Sequence, residues 1–174
     1  DEVHFSADGD FSLSSENGTF YNSIKSPINS EGVVRLAFDS TGRLYLGDNS
    51  GTVWYTDDPF EDSPQYHVFL DVSLANGIQG IAIDGNDNVY LSGDDNPVGE
   101  LYSLERDGTL RWSQTTDRVT GCTLLSTGEL LVTDFGGKFF LHNSDNGTLI
   151  DSYQVGGLGN HVRDISADTN DTVF

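Results

Sequence analysis

The chain has one cysteine, Cys122, no methionine, four prolines and only two lysines, Lys25 and Lys138, in 174 residues. A single cysteine excludes an intrachain disulfide and any cysteine-based zinc site. No apolar run approaches the roughly 18 residues of a membrane-crossing helix, so no membrane insertion is expected. Basic side chains are scarce. Against 8 Lys and Arg stand 28 Asp and Glu, a formal charge of −20. That excess repels nucleic-acid phosphate and anionic membrane surfaces, and no basic patch offsets it. The four histidines, His4, His67, His142 and His161, are scattered with no metal-ligand spacing, and no G-x-S-x-G elbow marks a nucleophilic serine. Helix-period patterning is also missing. Asp and Gly, residues of turns, take the place that Ala, Glu and Lys hold in helical bundles.

What is present is repetition. Leu36–Leu46, Ile81–Leu91, Cys122–Val132 and Ile165–Phe174 align, each an apolar stretch, a turn and a second apolar stretch. Taking Leu44, Val89, Leu130 and Val173 as equivalent, the spacings are 45, 41 and 43 residues. A fainter copy runs from His4 to Leu13. Glycines nine apart confirm the register: Gly9 and Gly18, Gly42 and Gly51, Gly128 and Gly137, with Asp87 in place of the first glycine in the remaining copy. Each copy reads as four short strands, as in Val34–Phe38, Leu44–Gly47, Thr52–Tyr55 and Tyr66–Leu70. Four-stranded units at this period are the sequence mark of a β-propeller, whose blades bury faces that one sheet leaves open. The expected fold is therefore all-β: a β-propeller segment of about four four-stranded antiparallel blades, part of a six- to eight-bladed ring. One segment, 1–174, would hold blades at about 1–30 (partial), 31–75, 76–118, 119–160 and 161–174 (partial).

Gly99-Glu-Leu-Tyr-Ser-Leu-Glu-Arg-Asp-Gly-Thr-Leu-Arg-Trp-Ser113 resembles the repeat of quinoprotein-like (PQQ-like) propellers. Gly80–Gly93 is similar to NHL and related propeller repeats. The quinoprotein resemblance implies PQQ and Ca²⁺ on the propeller axis, beside a vicinal disulfide that the lone Cys122 cannot form. The noncatalytic members, which dock proteins or ligands, match better.

Thirteen residues before the second-strand anchors lie Glu31, Asn76, Asp117 and Asn160. All four offer oxygen donors suited to a hard cation such as Ca²⁺. Glu31-Gly32 and Asn76-Gly-Ile resemble segments of the gluconolactonase/senescence-marker family, with Val33 and Ala75 replacing its prolines. That resemblance implies an axial metal held by these four residues, polarising a lactone carbonyl and activating water. Asp84-Gly-Asn-Asp-Asn88 partly matches the opening of a Ca²⁺ loop, but Val89 stands where that loop needs glycine. A hairpin turn accounts for the segment.

The sequence-based expectation is thus a noncatalytic propeller module that binds a protein, glycan or small ligand through its loops. A Ca²⁺-dependent lactonase is the alternative and a PQQ-dependent oxidoreductase the distant one. High Asp with little Lys points to a saline, extracellular, periplasmic or cell-surface setting.

Overall fold

The computed structural model describes residues 32–154 and 162–174, together with the backbone of three N-terminal strands. Those strands, β1 (Glu2–Phe5), β2 (Phe11–Ser14) and β3 (Phe20–Ile24), form a three-stranded antiparallel sheet. The sequence reading assigns this segment two strands.

Three four-stranded antiparallel meanders follow. The first holds β4 (Val33–Phe38), β5 (Leu44–Asp48), β6 (Thr52–Thr56) and β7 (His67–Asp71). The second holds β8 (Ile78–Ile83), β9 (Val89–Asp94), β10 (Val98–Leu104) and β11 (Leu110–Asp117). The third holds β12 (Val119–Leu124), β13 (Leu130–Asp134), β14 (Lys138–His142) and β15 (Leu149–Gln154). Residues 165–174 fold back as the beginning of another hairpin, bridged at Ala167 and Val173. No helix occurs among the described residues. The arrangement is that of propeller blades. First strands stand side by side, β4 against β8 and β8 against β12, and last strands lie outermost.

Burial follows from that stacking. The second strands β5 and β9 are buried along their whole length, because neighbouring blades cover both faces. Strand alternation sends successive side chains to opposite faces. Tyr45 therefore joins Val53, Ile78, Val89 and Leu91 between the first and second meanders. Leu44 and Leu46 join Val33 on the other side. Tyr90, Leu101 and Trp112 meet Val119, Cys122 and Val132 between the second and third.

The turns explain much of the acidity. Asp39 Oδ1 accepts the N–H groups of Thr41 and Arg43 at 2.9 and 3.0 Å. Asp84 does the same for Asn86 and Asn88, and Asp168 for Asn170 and Thr172. Each carboxylate closes the hairpin between first and second strands by taking donors that the turn leaves open. Asp84-Gly-Asn-Asp-Asn88 is such a turn. The second oxygen of Asp84 accepts from Asn88 Nδ2 at 2.8 Å and Tyr90 OH at 3.1 Å.

Those hairpins also clasp one blade to the next. The αL position of the turn is Gly42 in the first meander and Gly128 in the third, but Asp87 in the second and Asp171 in the following hairpin. Both aspartates have positive φ, 63° and 60°. Each carboxylate accepts the N–H and hydroxyl of a serine on the preceding blade. Ser40 donates to Asp87 at 2.8 and 2.9 Å, and Ser126 donates to Asp171. The inter-blade bonds offset the backbone cost of holding a non-glycine residue in αL. Nearby, Arg106 Nε donates to Asp39 Oδ2 at 2.7 Å, pinning the second meander to the first. Burial alone would raise the Asp39 carboxyl. The bonds from Arg106, Thr41 and the Arg43 N–H outweigh it and hold the group below its ordinary value.

Candidate functional site

The first strands share an irregularity. In β4 the pairing slips between Val33 and Arg35, in β8 between Ile78 and Gly80, and in β12 between Val119 and Gly121. These are the same repeat position in three blades. Each bulge leaves one extra residue, Val34, Gln79 or Thr120, and a bulge re-aims the side chain it displaces. All three line one cavity of about 380 Å³ at the end of the first strands. Asn49 and Phe135, just after β5 and β13, add to its wall, and Arg163 and Asp164 close the far side.

Arg35 ties this mouth together. Its Nε donates to Gln79 O at 2.5 Å, Nη1 to Val34 O at 2.7 Å and Nη2 to Arg163 O at 3.0 Å. One guanidinium thus bonds carbonyls of the first meander, the second meander and the segment after the third. Carbonyls neutralise no charge, and no carboxylate among the described residues forms an ion pair with Arg35. Arg163 is exposed, and its guanidinium has no partner among the described residues. Asp164 is the carboxylate lining the cavity, and its Oδ1 accepts the Ile165 N–H at 2.9 Å. The Phe135 ring is backed by Arg118, whose guanidinium carbon lies 4.4 Å from the ring centroid. Arg118 in turn forks onto Asp94, with Nη2 to Oδ2 at 2.6 Å and Nε to Oδ1 at 2.9 Å.

The expected metal positions fall elsewhere or outside the described residues. Glu31 and Asn160 lie outside them. Asn76 is exposed just before β8. Its N–H donates to Asp94 O at 2.9 Å, and its carbonyl accepts Gln79 Nε2 at 2.5 Å. Asp117 ends β11, 69% exposed and 3.9 Å from Lys138 Nζ. Neither lines the cavity, which instead takes residues three positions later in the register, Gln79 and Thr120. Among the described residues no group of three or more His, Cys, Asp or Glu is placed to hold a metal ion. Cys122 is buried between blades, and desolvation pushes its thiol up to about 12. It stays a thiol at neutral pH and packs as a small apolar group.

Reading from the sequence missed Arg35, Gln79, Thr120 and Arg163. The repeat register carries a signal for them: positions 34, 79, 120 and 163 align, as do 35, 80, 121 and 164. The second set reads Arg, Gly, Gly, Asp, a break in an otherwise apolar strand.

No protein-family model and no curated protein matches the chain. Solved structures do. A streptogramin B lyase structure superposes with TM-score 0.65 at 16% identity, covering 90% of this chain and 54% of the other. A selenomethionine-substituted virginiamycin B lyase from Staphylococcus aureus superposes with TM-score 0.70 at 10% identity, covering 98% and 60%. The chain thus spans a little over half the length of each. Both are β-propellers, and at these identities the likeness establishes the fold. It also overturns the expected noncatalytic module, since both of these neighbours are enzymes. The sequence expectation failed because blade repeats record how blades pack, and packing is the same in a scaffold and an enzyme.

Proposed function

We propose that this chain carries the axial mouth of a β-propeller lyase, an enzyme that breaks a bond by elimination in a carbonyl-bearing substrate. The observation that carries this reading is the trio of bulges. One local irregularity, repeated in three blades, turns Val34, Gln79 and Thr120 onto the cavity that Arg35, Arg163 and Asp164 border. The fold shared with two lyases supports it. The likeness of residues 99–113 to quinoprotein repeats concerns blade sequence only and adds nothing to the site.

The chemistry follows from the groups present. Elimination begins when a base removes a proton from the carbon beside a carbonyl. The C–H electron pair becomes a carbon–carbon double bond, and the bond to the leaving oxygen breaks with its pair. Asp164 is the carboxylate at hand to take the proton and return it to the departing oxygen. Negative charge builds meanwhile on the carbonyl oxygen. Arg35, fixed by three carbonyls, is a preorganised positive group for that charge and needs no rearrangement to meet it.

With a streptogramin B compound as substrate, Asp164→Asn is expected to lower kcat by about 100-fold, the usual loss for a general base. Its urea midpoint should stay unchanged, because the amide oxygen can still accept the Ile165 N–H. Full activity in this variant would remove Asp164 from the reaction.

A further inference from the structure

With the axial mouth taken as the substrate site, we propose that it accepts a ligand bearing an oxyanion group, a carboxylate or a phosphate, gripped by Arg163. The protein carries a charge of −20 with only 8 basic side chains, so a cation without an acidic partner is an anomaly in it. Arg43, Arg106, Arg111, Arg118 and Lys138 each pair with an aspartate. Among the described residues, Arg35 and Arg163 have no carboxylate partner, and both line the same cavity.

The two arginines differ in a way that separates their roles. Arg35 spends three of its five N–H donors on backbone carbonyls and is held in place. Arg163 has no side-chain partner among the described residues, so none of its donors is engaged by them. A guanidinium presents a planar fork that matches the two oxygens of a carboxylate or phosphate, and such paired bonds are among the strongest polar contacts. The charge of Arg35 adds to the same field, and a concave wall focuses it against the acidic surroundings. Asp164 opposes it with one negative charge on the same wall, partly engaged by the Ile165 N–H. A cavity of about 380 Å³ is in the size range of small-ligand sites.

Calorimetric titration of the full chain with succinate, inorganic phosphate and neutral succinamide tests the proposal. Succinate or phosphate is expected to saturate one site, weakening with added salt, while succinamide gives no saturation. Tighter phosphate than succinate identifies a phosphoryl ligand, and the reverse order a carboxylate. Arg163→Ala should weaken binding about tenfold or more, and Arg163→Lys less, because a lone ammonium keeps the charge and loses the fork. Arg163 is exposed, so neither variant threatens the fold. No saturable binding by either anion, or equal affinity in Arg163→Ala, overturns the proposal. Cleavage without anion binding would leave the lyase reading standing and sink this one. Anion binding without cleavage would do the opposite.

Discussion

Replacing Gly80 by alanine is expected to destabilise the protein by about 3 kcal/mol, at the upper end of the usual cost of overpacking. Gly80 lies on β8, which packs against β12. A Cβ there would sit 2.5 Å from the backbone N of Cys122, 2.7 Å from Ser92 Oγ and 3.0 Å from Cys122 Sγ. The nearest atom is backbone, so relief requires the two inner strands to part. That movement would also displace Gln79, the next residue, from the mouth. Urea midpoints check this, with Gly85→Ala as control, since a Cβ at Gly85 meets nothing within 4 Å. Gly121, the equivalent residue on β12, would bring a Cβ no closer than 3.2 Å to its neighbours, so Gly121→Ala should fall between the two. Equal midpoints for Gly80→Ala and Gly85→Ala would contradict the close approach.

The second large effect is expected at Arg118. Asp94 has a side chain only 1% exposed, and Arg118, 36% exposed, supplies its countercharge. Removing one partner of a buried pair leaves an uncompensated charge, which costs about 3–5 kcal/mol. Arg118→Ala should fall near the lower figure, because the Asn96 N–H still bonds Asp94 Oδ1 at 3.0 Å and water can reach the vacated space. Adding Asp94→Asn should recover part of the loss by removing the stranded charge. The truncation also strips the cation from behind Phe135 and loosens one wall of the mouth. KM for the substrate should therefore rise in the single variant and stay high in the double one, while stability partly returns. A single-variant loss below about 0.5 kcal/mol, the scale of an exposed ion pair, would show that the pair does not act as a buried one.

The blades were legible because their punctuation is backbone chemistry. Gly42, Gly51, Gly128 and Gly137 mark turns, and all have positive φ. Asp87, which interrupts that series, holds the same conformation, and its clasp with Ser40 supplies the reason an aspartate is there. Strands anchored on those turns fall within a residue of their expected ends, as β4 to β7 show. The mouth was far less legible. A bulge adds one residue to one strand and leaves no compositional trace, so counting back thirteen positions arrived at Asn76 and Asp117 rather than at Gln79 and Thr120. Arg35 was not singled out in the sequence. Its role depends on the carbonyls of Gln79 and Arg163, residues 44 and 128 positions away, and no local pattern reports a bond across a propeller axis. The aspartates were more legible: Asp84-Gly-Asn-Asp-Asn88 reads as a hairpin turn and folds as one, and Asp39 and Asp168 close hairpins in the same way.

The central claim is elimination at the axial mouth, and the most direct measurement is the fate of solvent oxygen. The protein should cleave a streptogramin B compound in heavy-oxygen water and release products that carry no label, with a new carbon–carbon double bond absorbing in the ultraviolet. Incorporation of one labelled oxygen per cleavage would identify a hydrolase and contradict the account.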